Sequence, residues 1–285
     1  MKESGSIVQE NRKTILVTGA AGFLGFHTCK LLIQKGYQVI GVDSLEDDVN
    51  TSLKIKRLGE LGVRMTPGFV GRVSNVFVGR FSFFKSDIRD GDLWNLIKDK
   101  YRVDQVIHLA IPEAKKVDTI SPKQFALTHF EGFIQVLDFC AEANVQKLFY
   151  AHTMEMNFNS LNCVVDERYT LNNTIQWMND HWASAYWELF NLQALALEFP
   201  QVIGDWNRLD GLAHLVFGGD KKTVAADQLA WNASSSSAKY SAIEEIINAL
   251  LGLIENQTSS FDQLACAVGL DSWQFKEEFR SLMKA

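Results

Sequence analysis

The sequence lacks the features that mark several classes of protein. It has no basic block or stripe and its net charge is −6, so its electrostatics do not favour a nucleic acid or an anionic membrane as partner. No apolar run resembles a signal peptide, and the most apolar late segment, 243–254, is too short and too polar to span a bilayer. We therefore expect a cytoplasmic protein without membrane or nucleic-acid partners.

Cysteine and histidine are too scattered for a disulfide framework or a metal site. The sequence has 4 cysteines, far apart and without a CxxC pair, which favours reduced, buried thiols: Cys29, Cys140, Cys163 and Cys266. The 6 histidines show neither HxH nor HExxH spacing. We predict no structural or catalytic metal.

Strand-like and helix-like segments alternate through the first half of the chain. The predicted strands are 14–17, 38–42, 81–86, 104–109 and 146–151, and the predicted helices are 22–35, 90–100 and 123–143. Such alternation predicts an α/β fold with a Rossmann-type, doubly wound parallel sheet covered by helices on both faces. Residues 61–80 interrupt the pattern with glycines and a proline, which predicts a loop or a small hairpin.

A glycine-rich loop, Thr18–Gly25, joins the first predicted strand to the first predicted helix. Gly19 would permit a tight turn, Gly22 would let the backbone approach a pyrophosphate, and Gly25 would let the helix pack closely on the sheet. Free N–H groups at the helix N-terminus would bind the phosphates. Because this loop follows a strand and opens a helix, it predicts a dinucleotide site.

Asp43, at the end of the second predicted strand, indicates which dinucleotide binds. Its carboxylate could accept hydrogen bonds from the adenosine ribose hydroxyls and would repel a 2′-phosphate. Residues 44–48 contain no arginine that would accommodate NADP. We therefore predict NAD as cofactor. The alternative is a Rossmann fold that has lost its nucleotide.

After residue 151 the alternation weakens. Residues 180–199 predict a helix, 201–203 a short strand and 240–254 an amphipathic helix. We predict an NAD-binding Rossmann domain over 13–200 and a small, reduced, mostly helical substrate-side region over 201–285, which together form one compact unit.

The glycine loop resembles that of the extended short-chain dehydrogenases/reductases. More narrowly, residues 43–54 resemble the NAD-dependent nucleotide-sugar epimerases and dehydratases, especially those acting on UDP-glucuronate, and the likeness continues at 87–88, 108–110 and 202–208. The resemblance implies a set of cofactor-binding residues: Gly19, Ala21, Gly22, Phe23, Leu24, Gly25, Asp43, Ser44, Asp87, Ile88, Leu109, Ala110 and Ile111.

The resemblance also implies a tyrosine and a lysine four residues apart on one helix, where the lysine lowers the tyrosine's pKa by its charge. The sequence contains no Tyr-x-x-x-Lys. The best-placed tyrosine is Tyr186, whose partner position is Phe190, a side chain that cannot supply that charge. Thr153 aligns with the family's catalytic serine or threonine, and His152 and Glu155 beside it are further acid/base candidates.

Three functional interpretations follow, and they leave open whether the chain is an enzyme. It is a divergent NAD-binding, epimerase- or dehydratase-like protein with altered acid/base chemistry on a nucleotide sugar or another small metabolite. Alternatively, it is a non-catalytic protein that binds NAD or a nucleotide sugar. The third interpretation is a non-redox lyase or cyclase acting on a more apolar substrate.

Aromatic and apolar residues carry two further expectations. Four tryptophans either line the substrate pocket or belong to the core: Trp177, Trp182, Trp187 and Trp206. The apolar face of residues 123–143 and the apolar segment 185–199 predict a homodimer, unless these faces only cover the sheet. The residues of the 123–143 face are Phe125, Phe130, Phe133, Val136, Leu137 and Cys140.

Overall fold

A computed structural model describes residues 13–45, 51–64, 76–77, 80–111, 122–153, 167–199, 201–203, 206 and 240–255. The chain divides into two compact units, Met1–Leu197 and Glu198–Ala285. The predicted domain boundary after residue 200 lies close to this division. Glu155, one of the predicted acid/base candidates, lies outside the described residues.

A seven-stranded sheet forms the centre of the fold. In spatial order its strands are β3-β4-β2-β1-β5-β6-β7, and β4, β2, β1, β5 and β6 pair in parallel. The strands are β1 (Thr14–Thr18), β2 (Gln38–Asp43), β3 (Val76–Phe77), β4 (Phe81–Lys85), β5 (Gln105–His108), β6 (Lys147–Thr153) and β7 (Gln193–Phe199). The order reverses between β1 and β5, which is the switch point of a doubly wound fold. The predicted Rossmann-type sheet is confirmed.

Five helices accompany these strands among the residues that the structure describes. They are α1 (Phe23–Gln34), α2 (Thr51–Glu60), α3 (Gly91–Lys100), α4 (Pro122–Glu142) and α5 (Glu167–Phe190). Local interactions determine where these helices begin and end. The Asp90 side chain caps the N-terminus of α3 by accepting the Asp92 N–H, and Gly36, with φ 91°, follows the C-cap residue of α1.

The core lies on both faces of the central strands. Ile15, Leu16 and Val17 are fully buried, as are Val39 and Ile40. Strands buried on both faces need apolar side chains at every position, which is why these segments read as continuous apolar runs in the sequence. Helix α4 packs in this core, where its buried residues include Phe133, Val136, Leu137, Phe139 and Cys140.

The predicted helix at 180–199 is wrong in both bounds. Helix α5 begins at Glu167 and ends at Phe190, and residues 193–199 form strand β7. Asn191 adopts φ 54°, a left-handed conformation that ends helices and that asparagine tolerates better than most residues. The Ala-Leu-Ala-Leu run that follows is compatible with the periodicity of a helix and with that of a strand, so the sequence alone does not distinguish the two there.

The interruption at 61–80 includes a short hairpin. Strand β3 pairs antiparallel with β4, with Val76 opposite Ser82 and Phe77 opposite Phe81. The predicted excursion is therefore confirmed where the structure describes it.

The second unit contains a two-stranded sheet and one described helix. Strand β8 (Gln201–Ile203) pairs in parallel with β9 (Tyr240–Ala242), and α6 (Ile243–Glu255) follows directly. The predicted strand at 201–203 is confirmed, whereas the helix predicted over 240–254 begins only at Ile243, because residues 240–242 form β9. Among the helices described here, none combines the length and apolarity needed to cross a membrane.

Candidate functional site

The glycine loop is packed so closely that its glycines admit no side chain. A Cβ on Gly19, which has φ +68°, would lie 2.7 Å from the Leu109 carbonyl oxygen. A Cβ on Gly25 would lie only 2.0 Å from the Gly19 carbonyl oxygen, and one on Gly22 would lie 3.0 Å from the same atom. The loop therefore has the close backbone packing that the sequence predicted.

The loop leads into the N-terminus of α1, which is free of competing acidic groups. Gly22 is the N-cap residue, no side chain caps the helix, and its first turn contains no acidic residue. The N–H groups of Phe23 and Leu24 are in the first turn, where helical N–H groups have no partner within the helix. An anion such as a pyrophosphate suits this position because it meets both the donors and the positive end of the helix dipole.

Hydrogen bonds join the glycine loop to the turn that follows β5. The Thr18 hydroxyl oxygen accepts the Ala110 N–H at 3.3 Å, and the Thr18 carbonyl accepts the Leu109 N–H at 3.2 Å. Ile111 continues the turn, because its N–H donates to the Leu109 carbonyl at 2.9 Å. Two predicted cofactor segments that are about ninety residues apart in sequence thus form one surface.

The buried side chain of His108 packs against this surface at Thr18. Its Nδ1 lies 2.8 Å from the Thr18 hydroxyl, and its side chain is buried. Burial and the neighbouring His129 lower the pKa of His108 to about 3. The imidazole is therefore neutral at physiological pH and has a structural role.

Asp43 is held in place by three donors. Its carboxylate accepts the Ala21 N–H at 3.1 Å, the Leu45 N–H at 2.8 Å and the Lys54 ammonium at 3.2 Å. An ionised carboxylate offers about four acceptor sites, so one remains for a ribose hydroxyl. Ser44, which follows it directly, is partly exposed at the same strand end. The arrangement fits the adenosine ribose of NAD.

Helix α2 contributes two cations that the sequence reasoning missed. Besides Lys54, the buried Arg57 donates from Nη1 to the Ala21 carbonyl at 2.9 Å, with only 2% of the residue exposed. Residues 44–48, directly after Asp43, contain no arginine or lysine. The helix that starts at Thr51 carries its cations back to the loop, and their spacing of three places both on one helix face.

Asp87 and Ile88 follow strand β4 at the same end of the sheet. Burial alone would raise the pKa of Asp87, but hydrogen bonds and charge from Arg89 lower it, and one Arg89 nitrogen lies 2.6 Å from the carboxylate. Ile88 is 8% exposed and fits against Gly132, where a Cβ would come within 2.5 Å of its Cδ1 atom.

The carboxyl ends of β1, β2, β4 and β5 together form what we call the cofactor edge. Every predicted cofactor-binding residue follows one of these strands or begins α1, and the hydrogen bonds above connect the loop to both neighbouring strand ends. This is the edge at which doubly wound folds bind ligands. The role of each residue in binding the cofactor stays a prediction.

Tyr186 does not fit the catalytic role that we predicted for it. It lies in the last turns of α5, and its hydroxyl donates to the Asp138 carboxylate on α4. Phe190 lines a shallow groove with Val145 and Gln146, which precede β6. These contacts place both Tyr186 and Phe190 near the amino end of β6, opposite the cofactor edge. The absence of a lysine at position 190 therefore has no bearing on that edge.

Helix α5 has a second tyrosine near its other end. Tyr169 is in the first turn of the helix, and Asn173 follows four residues later. Asp180 of α5 contacts His152 at the end of β6, so the helical residues before Asp180, including Tyr169, extend beyond the cofactor edge. Seventeen residues at 1.5 Å each separate Tyr169 from Tyr186 by about 25 Å along the helix. A correct start for α5 was the signal that would have found Tyr169.

The remaining acid/base candidates cluster at the end of β6. Thr153 is the last residue of the strand, and His152 precedes it. His152 Nε2 lies 3.4 Å from Asp180 Oδ2 on α5. The structure thus brings His152 and Thr153 to the cofactor edge.

The tryptophans do not form the pocket wall that was one of our two expectations. Trp177, Trp182 and Trp187 are 57%, 41% and 51% exposed and are distributed along the outer surface of α5. Trp182 contacts the Phe130 ring of α4 with centroids 6.0 Å apart. Trp206 belongs to the second unit, where it adopts φ 66°. The three exposed tryptophans are therefore not core residues.

Replacing Tyr186 with phenylalanine tests this assignment. We expect Tyr186→Phe to lower the free energy of unfolding by about 1–2 kcal/mol, because it leaves the Asp138 carboxylate without its donor, and to leave NAD affinity unchanged. Urea denaturation and calorimetric titration measure the two effects. Tyr101→Phe, which removes a 3.1 Å hydrogen bond to Ser82, is the matched control. A large loss of NAD affinity in Tyr186→Phe alone would restore Tyr186 to the cofactor site.

Several known proteins are similar to this chain. CapI of Staphylococcus aureus is 27% identical over 253 residues, which are 86% of this chain and 70% of CapI. UDP-glucuronate 4-epimerase 2 of Arabidopsis thaliana is 25% identical over 271 residues, or 91% of this chain and 58% of that protein. The chain therefore spans only part of each relative.

Solved structures share the fold. UDP-glucuronic acid 4-epimerase from Bacillus cereus, in complex with UDP-glucuronic acid and NAD, superposes with a TM-score of 0.62 at 20% identity, covering 86% of this chain and 74% of the epimerase. The family model described as the NAD dependent epimerase/dehydratase family matches residues 15–260. Because this match covers well over half of the chain, the chain belongs to the NAD-dependent epimerase/dehydratase family.

Proposed function

We propose that this protein binds NAD at the cofactor edge and acts on a nucleotide sugar, or on a related small metabolite, with proton-transfer groups that differ from a tyrosine–lysine pair. The observation that carries the proposal is the assembled cofactor edge: the glycine loop, Asp43 and the 109–111 turn are joined by hydrogen bonds. Such preorganisation is what a dinucleotide site needs.

The residues present fit the cofactor of the family. The N–H groups at the start of α1 would hold the pyrophosphate, and Asp43 would accept a ribose hydroxyl while Lys54 and two backbone N–H groups keep its carboxylate oriented. When bound, NAD⁺ supplies a hydride acceptor for a sugar carbon. The chain's own task is then to hold the substrate hydroxyl and move its proton.

The substrate class rests on the relatives. The similar proteins above include enzymes named for UDP-glucuronate, one of them solved with UDP-glucuronic acid and NAD. We propose a nucleotide sugar of this kind and keep residues 201–285 as the predicted substrate-side region. The relatives are 25–27% identical, so the sugar itself is part of the proposal.

One observation favours a second candidate, a non-catalytic NAD-binding protein. The residue four positions after Tyr169 is Asn173, an uncharged amide that cannot lower the pKa of a phenol by charge as a lysine does. If no other group transfers the proton, the chain binds NAD and the sugar without turnover. The lyase or cyclase interpretation loses its main support, because three of its four tryptophans lie exposed on α5.

The test begins with the purified protein. Denaturation followed by chromatography should release NAD⁺ or NADH, and any cofactor-free fraction should bind added NAD⁺ in a calorimetric titration. Asp43→Asn should weaken NAD binding at least tenfold. The asparagine NH₂ group would lie against N–H donors that the carboxylate of Asp43 accepts, and one lost hydrogen bond to a charged group costs about 1.5–3 kcal/mol. Asp99→Asn, an exposed change on α3, should bind as the wild type does.

Stabilisation by the substrate is measured separately. UDP-glucuronate added to the NAD-saturated protein should raise its melting temperature, since a ligand that binds only the folded state stabilises it, and glucuronate without the nucleotide should not.

Absence of NAD from the protein together with no binding of added NAD⁺ would contradict the proposed function.

A further inference from the structure

The Thr18 hydroxyl is the centre of a short hydrogen-bond chain at the cofactor edge. Its oxygen lies 2.8 Å from Nδ1 of His108 and 3.3 Å from the Ala110 nitrogen, and both Thr18 and His108 are buried. The Ala110 N–H can only donate, so the hydroxyl oxygen accepts it. Among the contacts that the structure describes for Thr18, Nδ1 of His108 is then the one acceptor for the hydroxyl hydrogen. The chain therefore has a direction, from Ala110 through Thr18 to His108.

This direction determines the tautomer of the imidazole. A ring nitrogen that accepts a hydrogen bond carries no proton, so the proton of the neutral His108 ring is on Nε2. In the opposite tautomer an N–H group would point at the Thr18 oxygen, and the buried hydroxyl hydrogen would lose its acceptor, which is unfavourable. The hydroxyl is thus held in one orientation as long as His108 is neutral.

The groups around His108 keep the imidazole neutral. Burial is the main cause and the neighbouring His129 of α4 the second, and together they lower the pKa of His108 to about 3. From the same helix, the Phe133 ring packs with its centroid 5.5 Å from that of the imidazole. On β6 the register partner of His108 is Tyr150, whose phenol keeps its proton because burial and Asp180 raise its pKa. The imidazole is therefore available as a hydrogen-bond acceptor at physiological pH.

The turn that the hydroxyl holds is packed directly against the glycine loop. A Cβ on Gly19 would lie 2.8 Å from the Ala110 nitrogen and 2.7 Å from the Leu109 carbonyl oxygen. The two segments thus touch without a side chain between them, and both contain predicted cofactor-binding residues. Without the Thr18 hydroxyl the turn could move relative to the loop, and NAD would have to order both segments when it binds, which lowers its affinity.

We propose that His108 is a positioning residue for the cofactor and that it acts through the Thr18 hydroxyl. The imidazole accepts the hydroxyl hydrogen, so the hydroxyl oxygen presents its lone pairs to the Ala110 N–H and holds the 109–111 turn in the geometry that binds NAD. His108 does not itself contact the cofactor in this assignment. The inference rests on the proposed function, because NAD is the ligand whose affinity responds.

The first experiment determines the tautomer of His108 by NMR in the full-length, isotope-labelled protein. The ring nitrogen shifts should show a proton on Nε2 and an unprotonated Nδ1, both at neutral pH and about one pH unit below the ordinary histidine pKa of about 6.5. A proton on Nδ1 at either pH would overturn the direction of the hydrogen-bond chain. The tautomer can be measured whether or not NAD binds.

The second experiment measures NAD⁺ affinity by calorimetry. Thr18→Val keeps the shape of the side chain but removes the hydroxyl, and it should weaken binding about tenfold, as expected for one lost hydrogen bond. Thr18→Ser keeps the hydroxyl and should bind as the wild type does. The matched control is Thr28→Val in α1, which removes the hydroxyl of another buried threonine, one that donates to the Leu24 carbonyl at 2.8 Å. This control should also bind as the wild type does.

A double-mutant cycle tests whether His108 acts through Thr18. His108→Leu removes the acceptor and should weaken NAD⁺ binding about as much as Thr18→Val does. His108→Asn, whose amide oxygen can accept the hydroxyl hydrogen, should bind NAD⁺ more tightly than His108→Leu. The double variant Thr18→Val/His108→Leu should bind no more weakly than either single variant, because both remove the same hydrogen bond.

Two results would overturn the proposal: unchanged NAD⁺ affinity in Thr18→Val, or losses that multiply in the double variant. Urea denaturation shows which variants are folded, and if His108→Leu is not, the tautomer and the comparison of Thr18→Val with Thr18→Ser decide. Absence of NAD⁺ binding by the wild type would contradict the proposed function, and the tautomer of His108 would still decide whether the hydrogen-bond chain exists.

Discussion

Gly25→Ala should lower the free energy of unfolding by about 3 kcal/mol and abolish NAD binding. The added Cβ would lie 2.0 Å from the Gly19 carbonyl oxygen and 2.7 Å from its carbon. The clashing atoms belong to the backbone of a loop that is itself fixed by Leu109, so no flexible side chain can move aside, and inserted methyl groups in tight packing cost about 1–3 kcal/mol or more. Urea denaturation and calorimetric NAD titration measure the two effects.

The same substitution in helix α2 provides the control. A Cβ on Gly59 would meet nothing within 4 Å, so Gly59→Ala should raise the free energy of unfolding by about 0.5–1 kcal/mol through helix propensity. NAD affinity should stay at the wild-type value. Equal stability of Gly25→Ala and Gly59→Ala would show that the loop can open without cost, contrary to the packing described above.

Leu189→Lys should convert the protein from a dimer to a monomer. Most of the α4 face from which a homodimer was predicted belongs to the core, since Phe133 and Val136 pack on the sheet. Other apolar side chains of the two helices are exposed, and we call them the exposed patch: Leu127 of α4 and Trp182 and Leu189 of α5, which are 46%, 41% and 74% exposed. Trp182 and Leu189 are two helical turns apart and share one flank of α5.

Light scattering after size exclusion measures the effect. The wild type should show twice the 32.1 kDa mass of the chain and Leu189→Lys the single mass, because a lysine buried without a counter-charge at an interface costs several kcal/mol. Leu96→Lys changes a leucine of α3 that is 39% exposed and should remain dimeric. A monomeric wild type, or a Leu189→Lys protein that stays dimeric, would refute the assignment of this patch.

The first half of the fold could be predicted well because its strands and its glycine loop have sequence signals that depend on neighbouring residues. Strands β1, β2 and β4–β6 are buried on both faces and must be apolar, and the glycine loop requires glycine at fixed spacing. The cofactor edge could be predicted for the same reason, down to Asp43 and the 109–111 turn. Each of these signals depends on the residue itself and its immediate neighbours.

The partners of the acid/base candidates could not be predicted because they depend on where α5 begins. Amphipathic spacing is weak at its start, and the left-handed Asn191 that ends it gives little warning in the sequence. Tyr186 was therefore placed on the wrong part of the helix, and Asp180 was not considered as a partner of His152. Arg57 was missed for a related reason, since a helix returns it to a loop more than thirty residues earlier.

We expect the Arg57 contact to slow the exchange of the cofactor. Its guanidinium ties α2 to the carbonyl of Ala21, and Lys54 ties the same helix to Asp43, so the adenosine half of the site is ordered without a ligand. Binding then requires little loss of backbone entropy, which favours a long residence time. We therefore expect bound NAD to dissociate slowly from the protein.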